Sequence, residues 1–597
     1  MRNLLQSIPF LADADEATLD LCAREAAWFS LPGGTPLFHA DEPTDMLFFL
    51  VSGALAAFRT GRSGETRLLG YVRPGEPVGE MALISGDAHT GSVYAVRDSQ
   101  LIAIPRTVFS QVVHAHPALM ARLARLALAR SRQKTTQRMR AEPRVYALIA
   151  TSPTIDLRLR ARLLAEHMSK LGRSVRIVEA DEGEAIGPAG FDALEREHDF
   201  VFLIAPIGDT AWFKICLRQA DRIWVLARAD ARPSIPFLPD DPSPARQFRF
   251  VDVVLLHHGN DRRAASAEDW RTACDASRIF HWDGLNDKTA ARLARTIAGV
   301  AIGLVLSGGG ARSYAAIGVI RALREANIPM DVVGGTSMGA IVAACYAMGW
   351  SDDEIEVRIR KAFVESNPLG DYVLPVVALS RGKRVDDRLL EHFGDAQIED
   401  LQIPFFCVST NLMTTSIRVH RQGLLRKALR ASISLPGILP PVVDGNDGLL
   451  VDGAVLKNFP VDIMTQVHRG RIIGVDVARP APLQLDDYRN PPGFFTWVAR
   501  HGLQSPPPIG TLLMRAATIS VDPWQGRDMT DVLIAPDMPN VDLRDWKQYD
   551  EAVAAGYEAA VTALKRSPPI SGQALEDRLN AEADIDADAT DLVAADG

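Results

Sequence analysis

Short stretches in which apolar and polar residues alternate fill the first 118 positions: Met46-Val51, Ala54-Arg59, Thr66-Val72, Gly91-Val96 and Gln100-Ile104, with Gly, Asp, Ser and Pro between them. Strand-like runs recurring at about 8 to 12 residues predict a small β-barrel or sandwich. The period then becomes helical from about Pro117 to Ala141, where Pro143 closes the run. From Arg144 onward, apolar runs (Val145-Ala150, Val175-Val178, Phe200-Ala205, Ile223-Leu226, Val251-Leu256) alternate with helical segments. That alternation predicts an α/β layer with a mainly parallel sheet. A second α/β block begins near Ala298 and runs through Ala478. A looser stretch with PPGFFTW (491–497) and SPPPIG (505–510) follows, then a last helix near Lys547 to Lys565. The expected organisation is a β-barrel at 1–118, a connecting helix at 119–143, an α/β domain without readable chemistry at 144–297, a second α/β domain at 298–478, its extension at 479–566, and a tail at 567–597.

Composition narrows this multidomain α/β reading. Of 597 residues, 47% are hydrophobic and 23% charged, which are globular proportions that exclude collagen-like, coiled-coil and wholly disordered chains. A net charge of −9 argues against a nucleic-acid partner. The charge is segregated, because the tail from Ser567 contributes −7 of it with no aromatic residue and is expected to be disordered. Residues 121–144 carry +7 through Arg122, Arg125, Arg130, Arg132, Lys134, Arg138, Arg140 and Arg144. This basic helix reads as a solvated linker first and as a contact for anionic lipid second. Five scattered cysteines without ligand spacing point to a reduced cytoplasmic compartment, with no metal. The N-terminus meets acids at Asp13, Asp15 and Glu16 too soon for a signal peptide. The uncharged stretch Val332 to Trp350 is long enough for a membrane span, but its glycine-rich interior reads as strand, turn and buried helix.

That stretch holds the strongest chemical motif, Gly335-Thr336-Ser337-Met338-Gly339, a G-x-S-x-G between an apolar run and a helical one. Small flanking residues permit the tight strand-to-helix turn that exposes a nucleophilic serine. Upstream, a strand-like run ends in Ser307-Gly308-Gly309-Gly310-Ala311-Arg312. Consecutive glycines let backbone N–H groups converge on an anion, so Gly308, Gly309, Gly310, Ala311 and Arg312 are candidates for an oxyanion hole. A phosphate loop fits less well, because no Lys-Ser/Thr follows and a third fingerprint glycine would fall on Ser313. Asp452, in Val451-Asp452-Gly453-Ala454, is the candidate base. His392, His420, His468 and His501 lie in no motif, so a Ser–His–Asp triad is open but not signalled.

These three motifs occur in the order and spacing of the patatin-like phospholipases, which the chain resembles; Ala431-Ser432-Ile433-Ser434-Leu435-Pro436-Gly437 and Lys457-Asn458-Phe459-Pro460 are similar to the same family. The resemblance implies a Ser337–Asp452 dyad without histidine, a glycine-rich oxyanion hole, and hydrolysis of lipid acyl esters through an acyl-enzyme without a cofactor. Two departures stand out: Ser313 replaces the usual glycine after Arg312, and the aspartate motif is Asp-Gly-Ala rather than Asp-Gly-Gly. The first block resembles cyclic-nucleotide-binding domains, with Gly79-Glu80-Met81-Ala82-Leu83-Ile84 similar to the phosphate-binding cassette. In that family a glutamate holds ribose and an arginine pairs with the cyclic phosphate. The arginine position falls on His89, which lacks a bidentate permanent charge, so Gly79, Glu80 and His89 are weak candidates and nucleotide binding is disfavoured.

A barrel of this type before a patatin-like domain resembles neuropathy target esterase and its bacterial relatives, as do Tyr372-Val373-Leu374-Pro375, Leu379-Ser380-Arg381-Gly382 and Pro508-Ile509-Gly510. The expected substrate is a phospholipid or lysophospholipid, met in the cytoplasm or peripherally at the inner face of the membrane. The competing classes are a cyclic-nucleotide-responsive scaffold with weak esterase activity, and a general carboxylesterase with a histidine triad.

Overall fold

The computed structural model describes residues 1–60, 66–132, 143–233, 250–259, 264–478 and 526–566, apart from 7, 12, 13, 44, 73, 187, 367, 368, 374, 375, 447, 468, 469 and 544, and also residues 493, 496 and 499. The basic segment beyond Arg132, SPPPIG, most of PPGFFTW, the acidic tail, His468 and His501 lie outside these residues. The chain divides into two compact units, Met1–Leu285 and Asn286–Gly597.

In the first unit, short helices over Arg2–Glu25 lead into an antiparallel barrel of β1 (Ala27–Leu31), β2 (Pro36–Phe38), β3 (Met46–Thr60), β4 (Thr66–Val72), β5 (Pro77–Val78) and β6 (Ser92–Pro105). The order is β1-β6-β3-β4, with β2 on β6 and β5 on β3. Four of the short runs read from the sequence are halves of two long strands. The register of β3 against β6 shifts between Leu50 and Leu55. Gly53 there has φ +91°, and a Cβ on it would lie 2.4 Å from Ser99 Oγ. A bulge that bends a strand interrupts alternation and looks like a turn in one dimension. The helix that follows spans Pro117–Arg132.

Six parallel strands then form the second sheet, β7 (Val145–Ala150), β8 (Val175–Val178), β9 (Phe200–Pro206), β10 (Arg222–Arg228), β11 (Phe250–His257) and β12 (Arg278–Asp283), in the order β12-β11-β10-β7-β9-β8. The near-continuous apolar character of β7, β9, β10 and β11 follows from burial on both faces, while β8 at the edge carries the exposed Arg176. Only β12, whose RIFHWD begins and ends with charge, gives no such run. The barrel is joined to this layer by Arg97 of β6. Its guanidinium donates to Glu195 Oε1 at 2.8 Å and Oε2 at 3.0 Å on the helix Pro188–Glu197, with Asp221 at 3.8 Å. Both side chains are largely buried.

The second unit is built on β13 (Gly303–Leu306), β14 (Val332–Thr336), β15 (Phe405–Asn411), β16 (Ser416–His420), β17 (Val442–Asp444), β18 (Gly448–Asp452), β19 (Ile472–Val475) and β20 (Val532–Ile534). The path is β17-β18-β15-β14-β13-β19-β20, with β16 also on β15. The helix Met338–Ala347 is buried at every position, so the long uncharged stretch is β14, a turn and a core helix. Among the described residues no helix is long and apolar enough to cross a membrane. The helices Ala315–Glu325 and Tyr549–Arg566 meet backbone to backbone. A Cβ on Gly318 would lie 1.9 Å from the Val553 carbonyl oxygen, and one on Gly556 1.9 Å from that of Ala315.

Removing one partner of a buried ion pair strands the other charge, at a cost of about 3–5 kcal/mol. We expect Arg97→Met to lower the first thermal transition markedly, and Arg97→Met with Glu195→Leu to recover most of the loss. Equal transitions in the parent and the Arg97→Met chain would remove the pair's structural role.

Candidate active site

The geometry of the site follows from how β15 is shared. Along one edge it pairs with β16 from Cys407 to Asn411. Along the other it pairs in parallel with β14, ending at Thr336↔Val408, and then antiparallel with β18, beginning at Ser409↔Asp452. Since Val408 and Ser409 are consecutive, β14 and β18 abut end to end. The residue after Thr336 therefore meets Asp452, and Ser337 Oγ donates to Asp452 Oδ2 at 2.6 Å.

Ser337 sits in the left-handed half of conformational space, with φ 54° and ψ −131°. Such a conformation costs a non-glycine residue on the order of 1–3 kcal/mol and persists only where its surroundings fix it. Two neighbours allow it by lacking side chains: a Cβ on Gly335 would lie 2.7 Å from the Leu306 carbonyl oxygen, and one on Gly339 2.4 Å from that of Ser307. The Ser337 N–H donates to Ser432 Oγ at 3.0 Å, and Ser432 in turn donates to the Val408 carbonyl at 2.7 Å. Ser337 also precedes the first turn of Met338–Ala347, where a helix carries partial positive charge.

Asp452 is fully buried, and burial pushes its carboxyl up to about 7 against the opposing pull of the Ser337 hydroxyl and the Ala454 N–H. The Ala454 N–H reaches Oδ1 at 2.9 Å, and the Asp452 N–H donates to the Ser434 carbonyl at 2.9 Å. Gly453 lies against β15, where a Cβ would come 2.5 Å from the Val408 carbonyl oxygen.

The glycine loop packs onto the serine, since a Cβ on Gly308 would lie 2.9 Å from Ser337 Cβ. Three of the five candidate donors are engaged within the fold. Gly308 N–H donates to the Asn458 carbonyl at 3.3 Å, Ala311 N–H to that of Leu543 at 2.9 Å, and Arg312 N–H to that of Gly309 at 3.1 Å. The Arg312 side chain is buried and donates to the Val541 carbonyl at 2.7 Å. Among the described residues the Gly309 and Gly310 N–H groups have no acceptor. Gly310 has φ +54° and its Cα faces the Leu543 carbonyl.

Asn458 closes the clamp, its Nδ2 donating to the Gly308 carbonyl at 3.1 Å. Neither it nor Ser432 carries a motif of its own; only their place in segments resembling the family marked them. His420 is bound to Ser409 Oγ at 2.7 Å, and burial pushes it down to about 4. His392 lies among Trp350, Arg358 and Phe393.

In the barrel, Gly79 takes φ +90° before the short helix Glu80–Ser85, and Glu80 is buried. A Cβ on Gly79 would lie 3.5 Å from His89 Cε1, so the cassette and His89 face each other. His89 is buried and stacked on Phe38 at 3.6 Å with 8° between the rings, and burial lowers its pKa.

Residues 304–465 match the patatin-like phospholipase family, and residues 28–116 match the cyclic nucleotide-binding domain. An NTE family protein of Mycobacterium tuberculosis is 32% identical over 592 residues, covering 95% of this chain and 97% of that protein. Patatin-like phospholipase domain-containing protein 7 of Rattus norvegicus is 26% identical over 524 residues, covering 77% of this chain and 39% of its own. Lysophospholipase NTE1 of Phaeosphaeria nodorum is 25% identical over 639 residues, covering 89% and 42%. Similarity to a mycobacterial relative over nearly the whole of both chains, joined to this pair of domains, identifies the chain as a member of the NTE family, a lipid ester hydrolase of the patatin-like phospholipase kind.

Proposed function

We propose that the chain hydrolyses the acyl ester of lysophospholipids, and more slowly of phospholipids, through an acyl-enzyme on Ser337 with Asp452 as the direct base. The hydrogen bond between Ser337 Oγ and a buried carboxylate carries this reading. A carboxylate in water is too weak a base for a serine hydroxyl, whereas one raised to about 7 is matched to proton transfer near neutrality. Ser337 Oγ attacks the ester carbonyl while its proton passes to Asp452. The negative charge on the carbonyl oxygen is met by the Gly309 and Gly310 N–H groups and the start of the helix. Asp452 returns the proton to the departing glycerol oxygen as the acyl-enzyme forms. A water then gives its proton to Asp452 and attacks the acyl carbon, and Ser337 recovers its proton as the fatty acid leaves.

Labelling with a fluorophosphonate followed by peptide mapping tests the nucleophile, and label on any residue but Ser337 rejects the scheme. Against lysophosphatidylcholine, Ser337→Ala and Asp452→Asn should each lose about 10³-fold or more in kcat. His392→Ala and His420→Ala should stay within about tenfold, in contrast to a histidine triad. kcat/KM should rise with pH, reach half its plateau near the Asp452 pKa of about 7 and level off above it.

The same carboxyl links activity to stability. Its folded pKa of about 7 exceeds the ordinary 3.8, so between these values the native chain holds a proton that the unfolded chain has released. Stability is therefore lost as pH rises through this window, by up to roughly 4 kcal/mol. Asp452→Asn should raise the melting temperature of the second unit more at pH 8 than at pH 4.5; a gain independent of pH would show that Asp452 is not protonated in the fold.

The barrel is proposed to act without cyclic nucleotide, since an uncharged histidine stacked on Phe38 stands where a guanidinium would pair with phosphate. Loss of charge-assisted bonds worth about 1.5–3 kcal/mol each weakens binding by orders of magnitude. Calorimetry with cAMP and cGMP should give no measurable heat of binding, and micromolar binding of either would overturn this.

A further inference from the structure

Among the described residues of the second unit, ten large apolar side chains are exposed, and seven of them lie at the end of the sheet that carries Ser337: Tyr372, Val376, Val377, Leu412, Met413, Val443 and Leu456. The connectivity puts them there. Leu412 and Met413 form the turn after β15, just beyond the level of Asp452, and the Leu412 N–H donates to the Leu449 carbonyl at 2.9 Å. Leu449 pairs with Val443 across β17 and β18. Leu456 ends the turn that starts at Asp452. The loop Asp371–Gly382 is tied to the segment that carries Ser432 and Ser434, with Leu379 N–H donating to the Gly437 carbonyl at 2.8 Å and Ser380 N–H to that of Ile438 at 3.0 Å.

This loop is closed at its foot, where Val373 N–H donates to the Leu379 carbonyl at 2.9 Å and Asp371 Oδ2 accepts Lys383 N–H at 2.8 Å. A closed foot holds its tip outward, and Val376 is 93% and Val377 66% exposed; Met413 is 66% and Val443 67% exposed. β-branched and aliphatic side chains held in water at these levels mark a contact surface rather than core. Cations follow directly, since Arg381, Lys383 and Arg384 are exposed at the foot of the loop, with Asp387 exposed beside them, whereas Arg418 on β16 is paired with Asp444 at 3.7 Å. An apolar tip with a cationic collar is complementary to an anionic bilayer, whose phosphates would meet the collar while the tip enters the acyl region.

We infer that the Val376-Val377 loop and the Leu412-Met413 turn form a docking face for an anionic lipid bilayer, which brings the membrane surface to the mouth of the Ser337 site. The inference rests on the reading of the chain as a lipid hydrolase, because an amphiphilic ester is presented in such a surface. It names residues that no step of the chemistry uses.

The test is flotation of the full-length chain, carrying Ser337→Ala so that vesicles stay intact, with vesicles of phosphatidylcholine alone or mixed with phosphatidylglycerol. The chain should float with the mixed vesicles. Val376→Asp with Val377→Asp, and separately Leu412→Ser with Met413→Ser, should each lower the partition coefficient about tenfold or more, with an unchanged melting temperature. Failure of the Ser337→Ala chain to float, or flotation of both double variants equal to that of the Ser337→Ala chain, overturns the proposal. If only Arg381→Gln with Lys383→Gln reduces flotation, the contact is electrostatic alone and the proposal fails. If the Val376/Val377 variant instead turns a dimer into a monomer in sedimentation with flotation intact, the face belongs to a second copy and the proposal fails. Because binding is read without turnover, failure of the hydrolase reading appears separately, in the fluorophosphonate label.

Discussion

The site depends on one constraint of strand pairing. β15 outruns β14, and the edge left free beyond Val408 is taken by β18 running the other way. A strand that ends in a turn and a strand that ends in a carboxylate are thereby aimed at each other across one residue step. The Ser337–Asp452 hydrogen bond is the consequence. No loop has to be positioned independently, and both side chains sit on ends of a sheet buried on its two faces. That rigidity matters, since a displacement of an ångström can cost a reacting pair about 10²-fold.

The arrangement concentrates unfavourable terms that the surrounding packing must offset. Ser337 holds a positive φ and Asp452 is removed from water. What surrounds them is correspondingly fixed: Ser432 bonded to Val408, Ser434 bonded to Arg430, and glycines where any side chain would strike backbone. The buried carboxyl is poised by the same desolvation that destabilises the fold around it. An acid–base group with a perturbed pKa and a strained neighbour is the combination expected where function overrides stability.

Much of this was legible in the chain, for a reason that can be stated. Gly308, Gly335, Gly339 and Gly453 are dictated by backbone approaching backbone, and such demands leave a residue type at a fixed spacing. Strands β7, β9, β10 and β11 were legible because burial on two faces forces continuous apolar runs. Other features had no local trace. The bulge at Gly53 interrupts the alternation of β3, so one strand looks like two runs. β12 hides its apolar core between Arg278 and Asp283. Asn458 and Leu543 reach the glycine loop from far along the sequence, and Arg97 reaches Glu195 across 98 positions. Their roles exist only once distant segments have been brought together.

The two departures from the family pattern can now be weighed by what each position does. Ser313 is fully buried, and its hydroxyl donates to the Ser307 carbonyl at 3.5 Å. The loop around it is held by Leu543, Val541 and Asn458, none of which depends on the residue at 313 being glycine. Ala454 supplies Asp452 with a backbone N–H, a donor that any residue except proline provides, and its φ is not positive. Gly453 is different, because its missing side chain lets β18 end against the Val408 carbonyl. Within this motif the close approach falls on the residue next to the aspartate and spares the one after it, so Asp-Gly-Ala retains the geometry that Asp-Gly-Gly has.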